Sequence, residues 1–137
     1  MKAPRASAFS SALVLTGLVA IAQADTASAI DWSKAQTVEI RMIEYQFIPD
    51  RLTLRHGQPY HLHLLNAGKE GHDFTAPDFF QSAIVQDTGA FNDSRSSVFL
   101  QPHQTADIYL VAPNAGLFAP RCADHDWAGM TATIVVE

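Results

Sequence analysis

Hydrophobic and polar positions alternate along most of this chain, with little sign of a helical period. Val38, Ile40 and Met42 alternate with Glu39 and Arg41, predicting a half-buried strand from Thr37 to Phe47 that Pro49-Asp50 ends. Leu52-Thr53-Leu54 reads as a short second strand, and His56-Gly57-Gln58-Pro59 as a turn. Tyr60 to Asn66 forms a third strand, with Tyr60, Leu62 and Leu64 on one face and His61 and His63 on the other. Gly68 to Gly71 is a flexible connection into His72-Asp73-Phe74. Pro77 to Ser82 predicts a helical turn, Ile84-Val85 a short strand, and Asp87 to Arg95 a polar loop. Ser96 to Leu100 and Thr105 to Val111 read as a hairpin around Gln101-Pro102-His103-Gln104. After the turn at Pro113 to Gly116 come a brief extended segment, Leu117 to Arg121, and a terminal strand, Thr131 to Val136. About seven short strands separated by turn signals argue for an all-β sandwich.

The first residues read differently. Lys2 and Arg5 precede an uncharged apolar run from Phe9 to Ala22, which ends in the small-x-small pattern Ala22-Gln23-Ala24. This is the layout of a signal peptide spanning 1–24, with Ala27-Ser28-Ala29 as an alternative cleavage pattern. At roughly 14 residues the run is too short for a membrane span. Residues 25–36 then form a lead-in and 37–137 the folded domain, expected to be soluble and periplasmic.

Composition narrows the function. The 137 residues are 47% hydrophobic and 17% charged, which excludes a disordered or collagen-like chain. From Asp25 onward seven Lys and Arg face all 14 carboxylates, so the exported chain is acidic and lacks the basic footprint of a nucleic-acid binder. The chain has one cysteine, Cys122, so no intramolecular disulfide can form. In an exported protein an unpaired thiol calls for another explanation, such as a bound metal.

That explanation lies in the segment from Cys122 to Met130, which puts a thiol, the His125 imidazole and the Met130 thioether on one loop. Soft sulfur donors with imidazole suit copper, and two histidines, one cysteine and a weak methionine are the donors of blue-copper sites. His72, at the end of a glycine-flanked loop, is the best candidate for the second histidine. His61 and His63 point the same way and are read as polar residues of the solvated sheet face, a second metal being the alternative. His56 and His103 fall in turns and are expected to be exposed. Trp127 is placed to shield the loop, dock a partner or pack the loop itself. Phe74, Phe79 and Phe80 are expected partly in the core and partly on an apolar rim.

The motifs Asn66-x-Gly68-x-x-x-His72-x-Phe74 and Cys122-x-x-His125-x-x-x-x-Met130 resemble those of the cupredoxins, the small blue-copper proteins, in their plastocyanin-like and pseudoazurin-like members. The resemblance runs from about Thr37 to Glu137. It implies a Greek-key β-sandwich holding one copper through His72, Cys122, His125 and Met130. It also implies one-electron transfer, cycling Cu(II)/Cu(I) and without enzymatic turnover, between redox partners such as a cytochrome or a copper or haem enzyme. A partner of this acidic chain would carry a basic docking patch, and the default state is a monomer. A copper-handling protein that sequesters or delivers the metal is the alternative, and a metal-free interaction domain would leave Cys122 unexplained. Two departures stand out. Pro120 replaces an aromatic residue common in the family, so its strand is expected to be irregular or at an edge. Asp73 replaces a common asparagine, and an ionised aspartate can only accept hydrogen bonds. A binuclear copper centre needs two cysteines, and no Ser-His-Asp, Walker or zinc-enzyme motif is present.

Overall fold

The computed structural model describes residues 29–137, so the leader assigned to 1–24 lies outside the described residues. A single 3₁₀ turn, Trp32–Lys34, leads into ten strands. These are β1 (Gln36–Ile43), β2 (Gln46–Ile48), β3 (Arg51–Leu54), β4 (Pro59–Asn66), β5 (His72–Thr75), β6 (Ile84–Val85), β7 (Ser97–Leu100), β8 (Thr105–Val111), β9 (Gly116–Phe118) and β10 (Thr133–Val136). One short helix, α1 (Pro77–Ser82), starts with proline at its first position, where the missing N–H costs nothing.

The strands form two layers. One is a five-stranded sheet in the order β2-β1-β4-β8-β6. The other joins β3-β10-β9 to the β5-β7 pair through Arg121, which bridges to both Thr75 and Thr131. After the β1–β2 hairpin, the chain passes from one layer to the other at nearly every connection. The short links of a sandwich favour this, because each crossing sets an apolar face against the facing sheet. Ile40, Met42, Leu62, Leu64, Ile108 and Leu110 point inward from the first layer. Leu54, Phe74, Val98, Ile134 and Val136 meet them from the second. Phe47, Phe74, Phe80 and Phe79 continue this core as a chain of ring contacts at 5.2 to 5.9 Å.

Two strand expectations are corrected. The run from Thr37 to Phe47 is not one strand: the chain turns at Glu44-Tyr45 and pairs antiparallel, with Met42 opposite Phe47. Both side chains are buried, and a separation of five residues cannot put two side chains on one face of a continuous strand. Nor do β7 and β8 form a hairpin. β7 pairs with β5 while β8 pairs with β4 and β6, so Gln101 to Gln104 carries the chain between layers. The alternation of Val98/Leu100 and Ile108/Leu110 fits two strands facing each other across a core as well as two strands side by side. Pro120 matches its expectation: β9 is at a sheet edge and ends before it. Among the described residues no helix is long and apolar enough to cross a membrane.

Candidate metal centre

The site forms where β5 begins and the β9–β10 connection passes beside it. Asn66, fully buried at the end of β4, shapes the first approach. Its amide donates to the carbonyls of Glu70 and Leu100 at 2.8 and 2.9 Å, and its Oδ1 accepts the Gly68 N–H at 3.0 Å. These bonds fold 66–70 into a tight loop that delivers His72 to the sheet. A Cβ at Gly68 would lie 2.5 Å from Glu44 Oε1, so a side chain there would displace that carboxylate.

The second approach is closed by its own backbone. The Cys122 N–H donates to the Met130 carbonyl at 3.0 Å, and the Cys122 carbonyl accepts the His125 N–H at 3.2 Å. A 3₁₀ turn, Asp126–Ala128, follows His125 and ends at Gly129, whose φ of 85° suits glycine. That turn brings Met130 back beside Cys122, where both are wholly buried.

His72 Nδ1 lies 3.2 Å from His125 Nδ1, and Cys122 Sγ lies 3.4 Å from His125 Nδ1. Two imidazole nitrogens and one sulfur thus converge, all within 4.8 Å of one another. His72 and Cys122 are buried, whereas His125 keeps a thin exposed edge. His72 Nε2 is buried without a hydrogen-bond partner, its nearest carboxylate oxygen being Glu44 Oε1 at 3.8 Å. The converging N₂S donor set has the chemistry of a copper or zinc site.

Asp73 ties the two approaches together. Both of its carboxylate oxygens accept the Ala123 N–H at 3.0 Å, and one also accepts the Thr75 hydroxyl. Its backbone N–H points at Cys122 Sγ, 3.5 Å away. The aspartate thus joins the two approaches purely as an acceptor, and its charge is paired with donors.

Two carboxylates that the motif reading missed flank the histidines. Glu70 Oε2 is 3.2 Å from His125 Nε2, and Glu44 accepts the backbone N–H groups of Lys69 and Glu70 as well as facing His72. Those amides, Lys69 foremost, hold the Glu44 carboxyl below its usual range. Burial, followed by the charge of His125, lowers the basicity of His72. Burial pushes the Cys122 thiol up, and the nearby Asp73 charge adds to the effect.

The aromatic surroundings also differ from expectation. Phe74, Phe79 and Phe80 are fully buried in the core, so none forms a rim around the site. Tyr45, at the β1–β2 turn, instead packs on His125 with ring centroids 4.8 Å apart. Trp127 sits one ring further out, against Tyr45 at 5.9 Å, and is 77% exposed. The parity break between Met42 and Phe47 was the sequence signal for a turn that places Glu44 and Tyr45 here.

Comparison with known proteins follows the same lines. Auracyanin B superposes with a TM-score of 0.58 at 19% identity, covering 79% of this chain and 93% of its own. Auracyanin A of Chloroflexus aurantiacus, a blue copper protein, gives 0.54 at 18%, covering 74% and 98%. The McoA multicopper oxidase of Aquifex aeolicus gives 0.58 at 14%, but this chain spans only 30% of it. Among curated proteins no significant sequence match is found. At these identities the superpositions establish the fold. The family model of the cupredoxin-like domain, however, matches residues 11–136, and the chain belongs to that family.

Proposed function

We propose that the protein binds one copper ion through His72, Cys122, His125 and Met130 and serves as a one-electron carrier. The observation that carries this reading is the convergence of His72 Nδ1, His125 Nδ1 and Cys122 Sγ beside the buried Met130. Copper in such a donor set takes up and releases a single electron. The protein's part is to hold the ligands still. The Asp73 N–H faces the sulfur, where it favours the thiolate, and the Asp73 carboxylate locks the Cys122 segment to β5. The exposed edge of His125 is the nearest point of the centre to a partner, with Tyr45 and Trp127 beside it. The burial of His72, Cys122 and Met130, with only an edge of His125 exposed, supports the reading as a carrier.

The location and partners belong to the same reading. Residues 1–24 are removed on export to the periplasm, and the monomer meets a redox protein through a basic patch that complements its acidic surface. The test is a Cu(II) titration of the purified protein beside Cys122→Ala, followed by visible absorption and electron paramagnetic resonance. Intense thiolate-to-copper absorption with narrow hyperfine splitting, lost in the variant and bleached reversibly by reductant, is the expected result. Tight binding without that band identifies a copper-handling protein instead.

A further inference from the structure

A second convergence of metal-ligating side chains lies on the outer face of the five-stranded sheet. β4 is the central strand there, and its alternate residues His61 and His63 project away from the core that Tyr60, Leu62 and Leu64 fill. Asp107, the register partner of His63 on β8, completes the group. Its Oδ1 lies 2.7 Å from His61 Nε2 and 2.7 Å from His63 Nδ1.

The His61 ring is held in place before any ligand arrives. Its plane stacks on Tyr109, the register partner on β8, at 4.4 Å and 4°. Its other nitrogen, Nδ1, lies 3.2 Å from Thr37 Oγ1 on β1. Nε2 and His63 Nδ1 both converge on Asp107 Oδ1, and with Nδ1–H of His61 donating to the Thr37 hydroxyl, a metal cation can take the place of the Nε2 proton between His61 and Asp107. Ligating histidines are commonly oriented by a hydrogen bond at the second nitrogen, and here Thr37 is placed to supply it.

The spacing and charge suit a small dication. Donors at about 2.1 Å from a tetrahedral ion are about 3.4 Å apart. The three donor atoms here lie within 4.8 Å of one another, so side-chain adjustments of under about 1 Å accommodate the ion. Two neutral imidazoles and a carboxylate leave one negative charge, and exposed Glu39, the register partner of His63 on β1, adds another to the same face. A donor set of two nitrogens and one oxygen selects divalent d-block ions such as Zn(II) and Cu(II). Calcium and magnesium prefer oxygen alone, and Cu(I) prefers sulfur.

We propose that His61, His63 and Asp107 form a second metal site, for a divalent d-block cation, with water completing the coordination on the solvent side. Asp107 is half exposed, which leaves that side open. The site shares no residue with the His72–Cys122–His125 centre, so it stands or falls separately from the electron-carrier reading.

The experiment is a Zn(II) titration by calorimetry at pH 7.5, using the full chain with Cys122→Ala and His125→Ala to disable the first centre. One equivalent should bind more tightly than about 1 mM, and His61→Gln, His63→Gln and Asp107→Asn should each weaken it by about tenfold or more. Absence of saturable binding, or affinity in both histidine variants unchanged from their parent, overturns the proposal. A second measurement needs no variant: Cu(II) added to two equivalents should give the unsubstituted protein a second resonance with wide copper hyperfine splitting and coupling to two nitrogens. Its absence overturns the proposal as well.

Discussion

Asp73 shows how much one side chain carries in this site. Its carboxylate is the acceptor for the Ala123 N–H and the Thr75 hydroxyl, and through them it joins the segment bearing Cys122 to the strand bearing His72. Removing it leaves those donors without a partner in a largely buried position. Asp73→Ala is expected to cost about 1–3 kcal/mol in urea unfolding, with Asp73→Asn, which keeps one acceptor oxygen, costing less. The candidate donors were legible because Cys122, His125 and Met130 lie on one short stretch whose chemistry is local. Glu44 and Glu70 were not. They reach the histidines only because the β1–β2 turn and the Gly68–Gly71 loop fold against the start of β5, and nothing in their sequence neighbourhood marks a carboxylate as facing an imidazole.

At the scale of elements, β4 organises the sheet. It pairs parallel with β1 and antiparallel with β8, so its inward residues are covered by neighbours on both sides. Leu62 is wholly buried at its middle, and Leu62→Ala is expected to destabilise the protein by about 2–5 kcal/mol, measured by denaturant unfolding. The same strand was the easiest to read, because Tyr60 to Leu64 alternate strictly between core-facing apolar residues and outward-facing histidines. α1 and β6 were equally legible, one from its leading proline and the other from its paired β-branched residues. Pairing was harder. β7 and β8 carry the hairpin pattern of two apolar runs around a turn, yet the decision between pairing side by side and facing across the core rests on β5, which offers β7 an edge. A partner distant in sequence leaves no mark on the pattern of the strand itself.

For the whole molecule, the buried site sets how the metal-free protein responds to pH. His72 is less basic in the fold than its ordinary value of 6.5, so the unfolded chain takes up that proton first as pH falls. Its contribution to stability is present above about pH 6.5 and is lost in acid below it. Cys122 titrates above its ordinary value of 9.0, so the unfolded chain ionises first as pH rises, and stability is lost above that point. Urea midpoints of the metal-free protein should therefore decline at both ends between pH 5 and 10. His72→Gln should flatten the acid limb and Cys122→Ser the alkaline one.

The sandwich has a further property, set by the lengths of its outermost strands. β2 and β6, which end the five-stranded sheet, have three and two residues, and in the other layer β3 and β7 have four each and β9 three. An edge that short offers too few free N–H and C=O groups to template a neighbouring chain. Molecules crowded together are then less prone to zip edge to edge into fibrils. Their encounters are left to be sorted by charge and side-chain fit.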